Sequence, residues 1–240
     1  MKKIPFLLCI LFTIIHTSSA QTQLIVDPNA QVRTLDKSFN KIKVSNGIDV
    51  YLSQSDTESL AVSASEKKYA DRIITVIGGG QLRISYDHNG HWNMGDKKLK
   101  VYISFRDVNE LDASGSSDIK IAGTLNSDKL MLRLSGSSDF TGNVKSRELV
   151  IDLSGSSDVK ISGSASILNL ENSGASDFDG YDLAVDVCTA KSSGASDVNI
   201  TVNKEITVQA SGASDFYYRG NPIVKSLRSS GSSTVAKSKL

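Results

Sequence analysis

Four side chains between residues 86 and 96 form the least ordinary polar cluster of this sequence. They are Asp87, His88, His91 and Trp92. Two imidazoles and a carboxylate are ligands that a transition metal accepts, and an exposed indole offers a flat apolar surface to a sugar ring. Loops often carry binding residues, so one interpretation is a binding loop. The other is a polar hairpin loop whose tryptophan packs back on a sheet.

A row of aspartates is the second candidate for chemistry. Each closes one copy of a motif that reads SGSSD or SGASD, and the motif glycines recur every 18 to 21 residues at 115, 136, 155, 174, 194, 212 and 231, the last in a degenerate SGSST. We call the aspartates the aspartate ladder: Asp118, Asp139, Asp158, Asp177, Asp197 and Asp215. If neighbouring motifs stack about 5 Å apart, these carboxylates repel one another by about 1 kcal/mol per pair.

Three interpretations of the aspartate ladder are open. Aspartate accepts hydrogen bonds from backbone N–H groups in turns, so the ladder fits turn capping. Calcium takes six to eight oxygen ligands, so cations between the motifs are a second interpretation. Two carboxylates about 5 Å apart also match a retaining glycosidase, but a catalytic pair needs two different environments, and these six sequences look alike.

The fixed period predicts the architecture that must position these residues. Short repeats of constant length are typical of solenoids, in which each repeat stacks on the previous one. Two, four and six positions before each glycine the residues are mostly apolar, with polar residues between them, as in Leu149, Ile151 and Leu153. This alternation indicates a strand with one buried face. We predict an all-β fold, a single-stranded parallel β-helix-like solenoid with about 19–20 residues per coil; an antiparallel meander is the alternative.

The motif itself predicts a sharp turn between two strands. Its glycine suits a positive φ. A large apolar residue follows each aspartate, as Phe140 and Val159 do. Strand parity then points the fourth residue of the motif into the core, so we expect these serines to be buried and to hydrogen-bond along the stack. They are Ser117, Ser138, Ser157, Ser176, Ser196, Ser214 and Ser233.

The chain before the repeats is less regular. Lys2, Lys3, the apolar run from 4 to 15 and a small-residue end at Ala20 predict a signal peptide over 1–20. Residues 21–37 are expected to form an extended segment, and 38–240 one β-solenoid domain with a less regular part, 38–110, and the repeats, 111–240. Within 38–110 we expect a short helix at 66–73 capped by Ser65 and a hairpin at 74–86, the whole continuing the sheet and covering its N-terminal end.

Composition excludes several classes of partner. Apart from Lys2 and Lys3, 25 basic residues face 26 acidic ones, so neither a nucleic acid nor an anionic lipid surface is indicated. No segment after the predicted signal peptide is apolar enough to span a membrane.

Cys188 would then be the single cysteine, and it lies in an apolar row, which indicates a buried residue. Ser-His-Asp order, GxSxG, P-loop and HExxH motifs are absent from the sequence.

Three stretches together resemble a known family. They are the run Ser45–Gln54, the strand Leu99–Ile103 and the SGxSD repeats. The chain, over roughly residues 38–235, resembles the family called putative autotransporter adhesin, head GIN domain. This resemblance implies a β-helix-like fold and a role in adhesion, and the family brings no catalytic residues to transfer.

We therefore expect an exported, non-enzymatic binding module acting as a cell-surface adhesin at the cell envelope, located in the periplasm, at the surface or outside the cell. No catalytic residue, metal ligand or resident cofactor is predicted, apart from the calcium interpretation. The partner is unknown, with a glycan or a surface protein as the candidate classes, and a homo-oligomer is compatible with the sequence. The alternatives are a polysaccharide-acting enzyme on a β-helix and a purely structural, self-associating envelope protein.

Overall fold

The computed structural model describes residues 27–88 and 97–238. Sixteen strands and one short helix follow each other in the described residues: β1 (Gln31–Arg33), β2 (Lys41–Val44), β3 (Asp49–Gln54), β4 (Ser59–Ser63), α1 (Lys67–Ala70), β5 (Ile73–Gly78), β6 (Gln81–Tyr86), β7 (Lys100–Phe105), β8 (Glu110–Ala113), β9 (Ile119–Leu134), β10 (Phe140–Leu153), β11 (Asp158–Asn172), β12 (Asp177–Ser192), β13 (Asp197–Ala210), β14 (Asp215–Arg219), β15 (Ile223–Ser229) and β16 (Thr234–Lys237). No helix of these residues is long and apolar enough to cross a membrane.

The strands form a parallel β-solenoid of about seven turns, which confirms the predicted fold class. Strands that precede each SGxSD turn stack into wall A, in the order β5, β6, β2, β8, β9, β10, β11, β12, β13, β15. Strands that follow each turn stack into wall B, in the order β1, β4, β7, β3, β9, β10, β11, β12, β13, β14, β16. The long strands β9 to β13 run through both walls. Their pairing in parallel rules out the antiparallel meander for the repeats.

The N-terminal coils do not stack in chain order. The unit β2–β3 lies between the unit β6–β7 and the first SGxSD coil, because β2 pairs with both β6 and β8 and β3 with both β7 and β9. Antiparallel strands then cover this end: β5 pairs with β6 as the expected hairpin, and β4 and β1 extend wall B. The predicted helix at 66–73 is shorter, spanning Lys67–Ala70, and its N-cap is Glu66 rather than Ser65.

The core is one continuous column of apolar side chains between the walls. In wall B, one inward row alternates large and small residues, since Phe140, Val159, Phe178, Val198 and Phe216 are neighbours in register. The next inward row alternates in the opposite sense, with Gly142, Ile161, Gly180 and Ile200. Each of the first two phenylalanine rings lies beside the glycine of its own strand, so volume is balanced within the coils of β10 to β13. In β14 both positions are large, Phe216 and Tyr218.

The motif serines form the polar part of this core, as predicted. The six serines from Ser117 to Ser214 are fully buried. The prediction was wrong for Ser233 of the last motif, which is only partly buried because no further coil of the described residues covers it. The backbone N–H of Ser157 donates to the Oγ of Ser176 in the next coil at 3.1 Å, and the Oγ of Ser157 donates to the carbonyl of Ser154 at 3.0 Å. Burial without partners would cost about 1–3 kcal/mol per group. The hydroxyls therefore satisfy the turns that they occupy.

The C-terminal end of the solenoid is open in the described residues. Val224 and Leu227 of β15 continue inward rows of wall A, and they are 48% and 37% exposed because no further coil covers them. Lys225 is an extra residue in the pairing of β15 with β13. A lysine and a bulge are common devices that protect a strand edge from association.

Candidate functional site

The aspartate ladder lies in a single row on the outer face of wall B. Asp158 and Asp177 are paired in register, as are Asp197 and Asp215. Sequence reasoning missed that Asp49 precedes the ladder in the same row, because Val50 pairs with Ile119. The signal was present in Ser45-Asn46-Gly47-Ile48-Asp49, where Ile48 takes the place of the buried serine.

The ladder carboxylates cap backbone groups of the neighbouring coil. The backbone N–H of Asp158 donates to Asp139 Oδ1 at 3.4 Å, that of Asp177 to Asp158 Oδ1 at 3.4 Å, and that of Asp197 to Asp177 Oδ1 at 3.2 Å. The sequence suggested acceptors for N–H groups in turns. In the structure these bonds run from coil to coil, so the ladder contributes to stacking.

Charge crowding accompanies this arrangement. Burial, and then the neighbouring carboxylates of Asp177 and Asp215, raise the pKa of Asp197 above its usual 3.8. Burial and Asp118 likewise raise the pKa of Asp139, and burial raises that of Asp49 despite the opposing effect of Lys120. The negative charges of these three aspartates therefore cost folding free energy at neutral pH.

Replacing Asp197 by asparagine is expected to raise the melting temperature at pH 7, because asparagine keeps an acceptor oxygen and removes a repelling charge. The pKa of Asp197 is raised in the folded state, so its penalty is full above that pKa and disappears as pH falls towards the unfolded value of 3.8. We expect a gain of up to about 1 kcal/mol at pH 7 after solvent screening, and no gain near pH 3. Thermal unfolding of both proteins across this range measures it.

Asp128→Asn is the control of opposite sign. The hydrogen bond from Arg147 lowers the pKa of Asp128, so this variant should be less stable at pH 7 and should lose its deficit as pH falls. If Asp197→Asn destabilises at pH 7 as Asp128→Asn does, the ladder charges do not repel in the folded state.

The outer faces of the two walls differ in how their charges are paired. On wall A, Lys43 contacts Asp112 at 2.7 Å, and Lys191 contacts Glu171 at 2.9 Å. On wall B, Lys120 lies 3.6 Å from Asp118. The other ladder aspartates, from Asp139 to Asp215, form no ion pair with any described residue. Wall B therefore presents carboxylates that remain available to a partner.

A second outward row lies two residues beyond the ladder. In register along wall B it contains Lys120, Thr141, Lys160, Asp179, Asn199 and Tyr217. We call the two rows together the ladder face. From β11 to β14, Lys160 is the one cation in these rows, so this half of the face is strongly acidic. It offers acceptors and donors at the repeat distance of stacked strands, about 4.8 Å.

Two residues of the predicted loop cluster, Asp87 and His88, lie at the N-terminal end of the solenoid, away from the repeats. Asp87 and His88 directly follow β6, and the ring of His88 contacts that of Tyr86 edge-to-face with centroids 5.1 Å apart. His91 and Trp92 lie outside the described residues. Among residues 27–88 and 97–238, no three His, Cys, Asp or Glu side chains gather in a way that could hold a metal ion.

A broad groove of about 1030 Å³ crosses the return segments between the walls. Its charges are largely paired with each other: Arg147 donates to both carboxylate oxygens of Asp128 at 2.9 Å, and Lys129 contacts Glu148 at 2.7 Å. The groove is therefore less available to a charged ligand than the ladder face.

Cys188 is buried, as expected from its place in an apolar row. Burial raises the pKa of its thiol to about 12. A thiol in this environment stays protonated and is a poor nucleophile or metal ligand.

Comparison with solved structures supports the fold. A putative adhesin from Bacteroides fragilis has a TM-score of 0.78 at 23% identity, over 87% of this chain and 95% of that one. A putative adhesin from Parabacteroides distasonis gives 0.67 at 19%, over 87% and 96%. A protein of the same species described as a putative lipid binding protein gives 0.61 at 18%, over 88% and 97%.

The family comparison is more specific than these structural likenesses. No protein of curated function matches the chain. The family model described as putative auto-transporter adhesin, head GIN domain, matches residues 38–222, which is most of the sequence and includes β2 to β14. The chain therefore belongs to the head GIN domain family of putative auto-transporter adhesins.

Proposed function

We propose that this protein is an exported, non-enzymatic adhesin that binds its partner through the ladder face. The observation that carries the proposal is the contrast between the walls. Most outer charges of wall A are paired within the protein, whereas the ladder carboxylates from Asp139 to Asp215 have no cationic partner in the described residues. Membership of a family named for adhesion supports the same role.

The chemistry of the ladder face indicates the kind of partner. Carboxylates, hydroxyls and amides in two straight rows accept and donate hydrogen bonds at a constant interval, which suits a partner that repeats its own polar groups. A glycan with many hydroxyls, or a surface protein with lysine and arginine side chains, meets this requirement. Each exposed charged contact contributes little, about 0–1 kcal/mol, so affinity must come from many coils acting together.

An array of host and bacterial glycans and matrix proteins, probed with the purified protein with and without calcium, tests this proposal. We expect reproducible binding to one class of partner. The variant with Asp177, Asp179 and Asp197 all changed to asparagine should bind that class at least tenfold more weakly, which corresponds to about 1.4 kcal/mol. Dependence on calcium would favour the cation interpretation of the ladder.

Glu171→Gln with Lys191→Gln is the matched control, because it removes a charge pair from wall A and leaves wall B unchanged. This variant should bind like the original protein. Equal loss in both variants would contradict a role for the ladder face. A blank array with folded protein would contradict glycan or matrix adhesion and favour a structural role in the envelope.

A further inference from the structure

An unusual corner lies at the N-terminal end of the solenoid. Here residues 87–99 connect β6 to β7. At the same place in the stack, the next coil has the tight turn 45–48, and each repeat has its SGxSD turn. Tyr86, the last residue of β6, is only 4% exposed. Its phenol hydroxyl is buried and has no hydrogen-bond partner among residues 27–88 and 97–238.

Two cations lie on the Tyr86 ring. The guanidinium carbon of Arg72 is 5.2 Å from the ring centroid, and the ammonium nitrogen of Lys97 is 5.1 Å from it. The carboxylates of the nearby helix are engaged elsewhere, since Asp71 binds Lys67 and Glu66 binds Lys68. Burial raises the pKa of the Tyr86 phenol, and the carboxylate of Asp87 is close enough for its negative charge to raise that pKa as well. Among the described residues, positive charge therefore exceeds negative charge around the ring.

The guanidinium of Arg72 has an unused binding edge. Its Nε and Nη2 atoms are buried and have no hydrogen-bond partner in the part of the chain that the structure describes. These two N–H groups form the edge with which arginine binds a carboxylate or sulfate in a bidentate manner. The same chain shows the pairing elsewhere, because Arg147 donates from Nε and Nη2 to the two oxygens of Asp128 at 2.9 Å each.

Stacking on Tyr86 does not replace these hydrogen bonds. A cation–π contact uses the face of the ring, whereas the N–H groups of arginine point outward in the guanidinium plane. A buried donor without an acceptor costs about as much as a lost hydrogen bond. Three such donor atoms lie in one corner, two from Arg72 and one from Tyr86, and a bound ion is one of the partners that satisfy such groups. Arg72 as a whole is half-buried, so the corner lies near the surface.

We propose that this corner binds an oxyanion, namely a carboxylate or sulfate group, with Arg72 as the bidentate donor, Tyr86 as a third donor and Lys97 as a neighbouring cation. The group belongs to an acidic glycan, such as one carrying uronic acid or sulfate. Free inorganic sulfate shares the same chemistry. The site is separate from the ladder face and does not rest on the function proposed for it.

Thermal unfolding of the purified protein in sodium sulfate, in sodium glucuronate and in sodium chloride of equal ionic strength tests the proposal. Sulfate and glucuronate should raise the melting temperature in a saturable manner, and chloride should not. A sulfated oligosaccharide should saturate the protein at a lower concentration than inorganic sulfate if the natural ligand is a glycan. Equal affinity of the two would assign the site to the free anion.

Two conservative variants link this response to the corner. Arg72→Lys keeps the positive charge but removes the two neighbouring guanidinium N–H donors that bind an anion together. It should weaken anion binding roughly tenfold. Tyr86→Phe removes a buried hydroxyl without a partner, so it should raise the melting temperature in chloride and reduce the further gain in sulfate. Arg147→Lys is the control, because the Nε and Nη2 donors of Arg147 are already bound to Asp128. This variant should respond to sulfate like the original protein.

Several outcomes would overturn the proposal. One is that sulfate and glucuronate stabilise the protein no more than chloride does. Another is that Arg72→Lys keeps the full response to both anions. A third is that Tyr86→Phe shifts the melting temperature equally in all three salts, as it would if the hydroxyl were only a packing defect.

Discussion

Replacing Gly174 by alanine is expected to lower the free energy of unfolding by about 2–5 kcal/mol. A non-glycine residue at its φ of +84° costs about 1–2 kcal/mol. An added Cβ would also lie 2.4 Å from the carbonyl oxygen and 3.0 Å from the backbone nitrogen of Gly155 in the neighbouring coil. Relieving this overlap must shift backbone, at about 1–3 kcal/mol more. Urea unfolding followed by circular dichroism measures the difference.

Gly123→Ala separates the two causes. Gly123 has a similar φ of +81°, but an added Cβ would have no atom within 4 Å. This variant should therefore lose only the conformational part, about 1–2 kcal/mol. Equal losses at the two positions would show that close stacking of the turn glycines adds nothing to their requirement for a positive φ.

Replacing Phe178 by alanine is expected to destabilise the protein by about 3–5 kcal/mol, which is the usual cost of emptying a buried phenylalanine site. Phe178 is 1% exposed and lies between Val159 and Val198 in the stack. Neither valine fills the space of the ring. Because native domains are stable by only about 5–15 kcal/mol, this change removes a large part of the stability, and urea unfolding should show a much earlier midpoint.

A second substitution at Gly180, which lies beside the Phe178 ring, should compensate for the loss of that ring. A Cβ on Gly180 would lie 2.4 Å from Cε1 of the Phe178 ring and 3.2 Å from the carbonyl oxygen of Asn199, so the ring occupies most of the space of that side chain. Neighbouring coils use Val-x-Ile at the same positions. Phe178→Val with Gly180→Ile should therefore cost less than about 1.5 kcal/mol, as volume-conserving changes do. Phe178→Val alone should cost more than the double variant, and the opposite order would contradict balanced volume within each coil.

Much of the solenoid was predictable from local sequence. The motif glycines mark the turns, with φ between +64° and +87° in the structure, and the alternation around residues such as Leu149 and Ile151 predicted their burial. The inward serines followed from strand parity. Each of these features depends on residues only a few positions apart, and the same pattern recurs in every repeat.

The candidate sites depended more on contacts between distant segments. The aspartate ladder could be predicted as a row because every rung occupies the same place in its repeat. That Asp49 belongs to the row required the register of β3 and β9, and that most charges of wall A are paired required the register of strands such as β2 and β8, which are far apart in sequence. The hydrogen bonds of the ladder also cross between coils, which no single turn reveals.

The sequence by itself determined the period, the inward rows and the turn chemistry of this protein, because strand alternation and positive φ are properties of short segments. Only the tertiary structure decided that β6–β7 stacks outside β2–β3, since the order of coils is set by long-range pairing of segments without a shared motif. It also decided that Arg72 and Tyr86 meet in one corner, without an acceptor from the described residues. Two residues on different elements acquire a common environment only when the chain folds, so pattern alone did not indicate them.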